Sequence, residues 1–327
     1  MFHAKPSTTN DEPPRGKLSH AHDIEAGEFA PPDAREIDRT KLVVATYNIR
    51  YAVGSLLITG SLFRRLGISR PARRPALVGG NIEKAARVFK GERRMPPADV
   101  IALQEADRGT ERAGRRHVAR ELAAALGMNY VRASVPTPDE EDHKKKQWYL
   151  DFEERIRRGE EGDTGVAILS RLALAGAARV ELPWVECPWR PRLAMTARVP
   201  VAGRWLHVFN AHIDPHANLP EQLKQHEAVL DHADDACAGE PVALVGDFNT
   251  LIPRARDAAR ALLESRGFTS PMPSGTGTWR AGLLRLHADW IFVRGVRVTR
   301  WGVARGAGIS DHWPVWAELD AGGAVRA

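Results

Sequence analysis

Only two cysteines, Cys187 and Cys237, occur in 327 residues, and they form no Cys-x-x-Cys pair. That spacing offers neither a thiolate zinc site nor a disulfide framework, so both are expected to be reduced core thiols. Long hydrophobic runs are missing too. The longest, 53–63, is interrupted by Gly54, Ser55, Thr59, Gly60 and Ser61 and is too short to span a bilayer. Residues 1–17 are polar and proline-bearing, without the apolar centre of a secretory signal. These absences lead to the expectation of a cytoplasmic protein.

What is present suits a globular chain with a sizeable core: 43% hydrophobic and 27% charged residues. Lysine and arginine exceed aspartate and glutamate by 47 − 41 = 6, and the pI is about 9.5. A basic surface attracts polyanions or anionic headgroups. Residues 1–40 mix Pro13, Pro14, Pro31 and Pro32 with many charges and little periodicity, which predicts a disordered N-terminal arm. One catalytic domain is expected over 41–320, followed by a short tail, 321–327.

From Leu42 onward short β-branched and apolar runs recur, at LVVATYNI, VIALQ (100–104), GVAILS (165–170), AMTARV (194–199), LHVFNAHI (206–213), VALVGDFN (242–249), ADWIFVRG (288–295) and WPVWAEL (313–319). Runs this apolar read as strands buried on at least one face. Stretches with apolar residues at helical spacing lie between them, clearest at 81–89, 115–126 and 220–238. Alternation of this kind implies a layered α/β or α+β fold. Two segments read as surface insertions. Residues 54–79 carry Arg64, Arg65, Arg70, Arg73 and Arg74, and 139–162 is a dense charge mixture with Lys144, Lys145, Lys146, Trp148 and Tyr149. They are either solvated loops or an exposed helix, or a basic rim that grips phosphate.

Polar residues recur at the ends of the apolar runs: Asn48, Glu105, His212, Asp247, Asn249, Asp289, Asp311 and His312. Strand ends are where a rigid scaffold presents side chains to a shared site. Any one of these has a turn-capping explanation, but together they are harder to dismiss. Oxygen ligands without cysteine suit Mg²⁺, Mn²⁺ or Ca²⁺ better than zinc. A carboxylate on a histidine ring fixes its tautomer and equips it for proton transfer.

Seven motifs then carry a specific resemblance: TYNIR (46–50), DVIALQE (99–105), GVAILSR (165–171), NAHID (210–214), VGDFNT (245–250), DWIFV (289–293) and SDHWPV (310–315). In this order they resemble the endonuclease/exonuclease/phosphatase superfamily, whose members include deoxyribonucleases, sphingomyelinases and inositol-polyphosphate phosphatases. The resemblance implies a four-layered α/β/β/α sandwich with two mixed sheets face to face. Asn48 and Glu105 would hold a divalent metal, with Asp311 near it. It further implies that Asp247 orients or activates the attacking water and that Asn249 binds the scissile phosphate. His312 would act as base or transition-state stabiliser, with Asp289 on its ring, while His212 would stabilise developing charge or assist the leaving group. Arg192 would clamp a phosphate, with Arg190 a nearby competitor for that role. Asp163 and Thr164 stand where the superfamily's repair enzymes carry a tyrosine, which points away from abasic-site repair.

The scaffold does not fix the substrate. The first expectation is a nucleic-acid phosphodiesterase acting as a monomer. The second is a phospholipid or sphingomyelin-type phosphodiesterase with peripheral membrane contact through 56–63, followed by a small-molecule phosphatase and a non-catalytic binding module. His117, His143, His226 and His232 lack metal-ligand spacing and read as surface or helix positions. Trp279, in a glycine-rich stretch, is either packing or a residue that stacks on a base or lids the site. The glycines at 275 and 277 are too isolated for a phosphate loop.

Overall fold

A computed structural model describes residues 24–31, 39–55, 73–92, 94–135, 156, 159–183, 192–237 and 239–322. Cys187, His143, Arg190, the apolar stretch at 56–63 and most of both insertions lie outside those residues.

Each of the eight apolar runs contains a strand. They are β2 (Lys41–Asn48), β3 (Val100–Gln104), β5 (Thr164–Ser170), β7 (Leu193–Val201), β8 (Arg204–His212), β9 (Val242–Asp247), β12 (Asp289–Arg294) and β14 (Val315–Asp320). The structure adds β1 (Glu25–Gly27), β4 (Asn129–Val135), β6 (Ala175–Glu181), the hairpin β10 (Trp279–Ala281) and β11 (Leu284–Leu286), and β13 (Arg297–Val303). Two large mixed sheets result, ordered β1-β4-β5-β3-β2-β14-β13 and β12-β9-β8-β7-β6. Among the described residues only β2/β3 and β8/β9 pair in parallel.

The sheets bury one face against each other. Leu42, Val44, Val100 and Ala102 of the seven-stranded sheet share a core with Met195, Ala197, Val208 and Val245 of the five-stranded one. Outside the larger sheet, α1 (Arg74–Phe89) and α2 (Val118–Leu126) pack Ile82, Phe89 and Leu122 on Tyr47, Ile101 and Leu103. On the other sheet, α3 (Leu219–Ala236) and α4 (Pro253–Ser265) contribute Val229, Leu230, Ala233 and Leu263 to the core. These are the four layers. Among the described residues no helix is long and apolar enough to cross a membrane.

Helix limits follow their caps. Asn218 accepts from Glu221 N while the Glu221 carboxylate takes Asn218 N, a capping box that starts α3 at Leu219. His117 caps α2 through Nδ1, and Gly127 ends it in the left-handed conformation. α1 starts at Arg74, inside the first segment expected to be a surface insertion, because Pro75 suits a helix's first turn. The expected N-terminal arm needs a correction. Glu25–Gly27 pairs with Tyr130–Arg132 as the edge strand of the larger sheet, and the Glu25 carboxylate accepts from Tyr130 Oη at 2.5 Å. Those contacts order a segment whose composition alone gave no reason for order.

Candidate active site

Register brings three of the expected residues into one row. His212, the last residue of β8, pairs with Asp247, the last of β9, and Asp247 pairs with Asp289, the first of β12. Paired residues on neighbouring strands point to the same face, so the imidazole and both carboxylates project together. Gly246 makes this possible: a Cβ there would lie 1.9 Å from Ala211 O. The glycine of VGDFN therefore lets β9 approach β8 closely enough to set the row.

Asp247 Oδ2 is the point of convergence. Asn48 Nδ2 donates to it at 2.9 Å, while His212 Nε2 and His312 Nε2 lie 3.7 and 3.8 Å away. Its other oxygen accepts from Asn249 N at 3.0 Å. Asn249 adopts a left-handed φ of 51° and donates through Nδ2 to Ile213 O. His312 is fixed from the opposite side, with Nδ1 at 2.9 Å from Asp289 Oδ2. Asp289 is aimed in turn by Thr278 Oγ1, which accepts from Ala288 N and Asp289 N.

Asp247, Asp289 and His312 are all buried. Burial lifts the Asp247 carboxyl above the ordinary aspartate range, and Asp289 adds to the rise against the pull of His312. For His312, burial alone would favour the neutral ring. The attraction of Asp289 and Asp247 outweighs it, so the imidazole holds its proton well above the ordinary value. The ligand atoms of these three lie within 4.8 Å of one another, close enough to hold a metal ion. Yet Nδ1 of His312 is already taken by Asp289. As it stands, the group is arranged for proton transfer.

The larger sheet supplies the rest. Asn48 ends β2, and its Oδ1 accepts from Arg50 N at 3.0 Å. Ser310 Oγ lies 2.8 Å from Asn48 O and 3.1 Å from Asp311 Oδ1, and accepts from His312 N at 3.1 Å. Trp279 Nε1 donates to Asp311 Oδ2 at 3.1 Å, which makes that tryptophan a positioning residue for a candidate metal ligand. Glu105 follows β3 with φ of 52°, and its main-chain O accepts from Tyr51 N. Its half-buried carboxylate has no hydrogen bond or ion pair among the described residues. Arg192 stands just before β7, at the same end of its sheet as His212. It is half-buried, and its Nε has no hydrogen-bond partner among the described residues.

Sequence reasoning missed the support around Asn48. Arg50, Tyr51 and Ala52 have successive φ values of 46°, 42° and 58°. Left-handed geometry costs a non-glycine residue roughly 1–2 kcal/mol, so the turn persists only because its neighbours hold it. Asn81 Nδ2 on α1 donates to Ala52 O at 2.8 Å. The Arg112 guanidinium lies 4.2 Å over the Tyr51 ring while binding both oxygens of Asp107 at 2.6 and 2.9 Å. The turn directs Arg50 to Asp311, with Nη1 at 3.6 Å from Oδ2. Asp163, conspicuous in the sequence for replacing a tyrosine, bridges Arg108, in the loop after Glu105, and Arg132 on β4. His226, expected at a surface or helix position, is on α3 and buried against the Phe248 ring at 4.8 Å.

The Endonuclease/Exonuclease/phosphatase family model matches residues 45–312. Among solved structures, an endonuclease/exonuclease/phosphatase from Beutenbergia cavernae is similar at a TM-score of 0.59 and 20% identity, over 88% of this chain and 74% of that one. A mannosyl-6-phosphatase of Bacteroides thetaiotaomicron is similar at a TM-score of 0.53 and 19% identity, over 85% of this chain and 99% of its own. The 2′,3′-cyclic phosphatase ANGEL2 is similar at 0.56 and 15%, over 92% and 99%. No curated protein matches. The chain belongs to the Endonuclease/Exonuclease/phosphatase family, whose members are phosphoesterase hydrolases and generally depend on a divalent metal.

Proposed function

We propose that the chain is a divalent-metal-dependent phosphodiesterase that acts on nucleic acid as a monomer. The observation that carries the reading is the convergence of Asn48, His212 and His312 on one buried oxygen of Asp247, with Asp289 behind His312. A carboxylate lifted by burial accepts a proton from water more readily than an exposed one. A cationic imidazole beside it suits the developing charge on a phosphoryl oxygen.

The donor chemistry fits a hard cation. Glu105 offers an uncommitted carboxylate, Asn48 Oδ1 accepts only a backbone N–H among the described residues, and Asp311 adds a second carboxylate. The described cysteine, Cys237, is buried at the end of α3. When bound by those oxygen donors, Mg²⁺ or Mn²⁺ would polarise a phosphoryl oxygen and steady the leaving group. Asp247 would orient the attacking water, and Asn249 and Arg192 would bind the scissile phosphate. His212 and His312 would stabilise the phosphoryl oxygens in the transition state.

Net positive charge favours nucleic acid as the substrate. A lipid reading has one specific observation behind it: Leu283 is fully exposed and Leu284 is 54% exposed at the tip of the β10–β11 hairpin. The deciding assay incubates the protein, with Mg²⁺ or with EDTA, with plasmid DNA, RNA, sphingomyelin vesicles, sugar phosphates and inositol polyphosphates. Asp247→Ala serves as the control. Chelator-sensitive cleavage of DNA or RNA, lost in the variant, is expected. Turnover of lipid or of a phosphomonoester alone would replace the nuclease reading.

A further inference from the structure

Beside the buried residues, three guanidiniums crowd one indole. The central carbons of Arg280, Arg285 and Arg305 lie 5.9, 5.8 and 5.7 Å from the Trp313 ring centroid. Arg280 and Arg285 oppose each other across the β10–β11 pair, and Arg305 comes from the loop after β13. Other arginines nearby in sequence are compensated: Arg294 by Asp234, Arg297 by Asp320 and Arg300 by Glu318. None of the three around Trp313 makes an ion pair among the described residues. Arg305 donates only to a backbone oxygen, that of Gly277, at 3.3 Å.

Like charges directly opposite on paired strands repel, and attraction to one aromatic face is a modest return for gathering three of them. The arrangement therefore has an excess of positive charge fixed in one place. It is fixed to the catalytic segment: Arg280 N donates to Asp311 O at 2.9 Å, Trp313 N to Thr278 O at 2.7 Å, and Trp279 bridges to His312. Trp313 itself is buried, and its Nε1–H has no acceptor among the described residues.

We propose that Arg280, Arg285 and Arg305 form a subsite for a phosphate beyond the scissile one, so that the substrate is a nucleic-acid strand held at two or more phosphates. This rests on the phosphodiesterase reading above. Guanidiniums bind phosphate oxygens in pairs of parallel hydrogen bonds, and neutralising strand phosphates releases counterions, which gives binding a salt dependence. A substrate with a single phosphate has no second one to offer such a group.

The test compares wild type with Arg280→Ala, Arg285→Ala and Arg305→Ala, and with the three Lys replacements. Two readouts are needed: anisotropy of a fluorescent single-stranded oligonucleotide across a salt series, and kcat/KM on that strand and on bis(p-nitrophenyl) phosphate. Each Ala change is expected to weaken oligonucleotide binding roughly tenfold and to reduce the salt slope by about one. Lys replacements should keep the slope, and turnover of the small diester should be unchanged throughout. Equal loss on both substrates would overturn the subsite, because it would assign the arginines a structural role. Unchanged oligonucleotide binding would also overturn it, as would a loss seen only on anionic vesicles, which would give the hairpin to a lipid surface. Failure of wild type to turn over either diester would sink the phosphodiesterase reading alone, since anisotropy still decides the subsite.

Discussion

The buried centre of the site and the hairpin beside it treat charge in opposite ways. At the centre, acid and base are matched: Asp289 faces His312, Asp247 receives Asn48 and lies between His212 and His312, and Asp311 receives Trp279 with Arg50 nearby. At the hairpin, Arg280, Arg285 and Arg305 share one indole without an ion-pair partner among the described residues. The centre has its own exception in Glu105, whose carboxylate makes no hydrogen bond or ion pair among the described residues. Glu105 thus offers its charge to a cation, and the arginines offer theirs to an anion. A metal ion and a polyphosphate strand would supply both, which is why the two regions are expected to respond differently to mutation.

The largest effect is expected at the centre. Asp247→Ala removes the group on which the other side chains converge and should lower kcat/KM by more than about a thousandfold on every substrate, large or small. A residual rate within tenfold of wild type would remove Asp247 from the chemistry. Next comes the brace of the strained turn. Arg112→Ala leaves buried Asp107 without its ion-pair partner and uncovers Tyr51, at a cost of roughly 3–5 kcal/mol by urea unfolding. Asp289→Asn keeps the shape but removes the charge that holds the His312 proton. A loss of roughly a hundredfold is expected, together with a downward move of the pH–rate limb that belongs to the imidazole. An unmoved limb would mean that Asp289 serves packing only.

The centre was more legible in the sequence than its surroundings, for physical reasons. Asn48, His212, Asp247, Asp289 and His312 stand at the ends of strands whose apolar runs are unmistakable, and strand register then aligns them. The strands that escaped notice lack such runs. β6 and β13 lie at sheet edges, half-buried, and read as AGAARVE and RVTRWGV. β4 is buried but carries Arg132, whose charge is answered by Asp163 far away in sequence. α4 buries only Ala255, Ala259 and Leu263, a stripe too narrow to stand out in a polar segment. The arginine group was invisible because Arg280, Arg285 and Arg305 gather only through a hairpin and a loop that show no apolar pattern. The same holds for Arg50, whose orientation depends on a left-handed turn that its residue types disfavour.

A smaller effect concerns the layer beneath the centre. Burial presses His226 down to about 4, and the ring packs on Phe248, between Asp247 and Asn249 in the chain. The unfolded chain takes up a proton near the ordinary histidine value of about 6.5, whereas the folded one resists until about 4. Between those values the unfolded state binds more protons, so stability must fall as pH falls. From pH 8 to pH 5 the loss from this residue is about 2 kcal/mol. His226→Gln should flatten that part of the stability profile, and an unchanged profile would assign the acid sensitivity elsewhere.

The smallest effect is expected at the hairpin tip. Leu283 is fully exposed, so Leu283→Ser removes no buried surface, and surface changes of this kind stay within about 0.5 kcal/mol of stability. If the arginines behind it serve a nucleic-acid strand, oligonucleotide turnover should also be unchanged, because a leucine gives a phosphate nothing to bind. The comparison is sharpest on vesicles. Loss of vesicle partitioning in this variant, with oligonucleotide turnover intact, would mean that the hairpin presents two surfaces, an apolar tip to a membrane and a basic stem to a phosphate chain. No change in either assay would leave the charge of the three arginines as the hairpin's whole contribution.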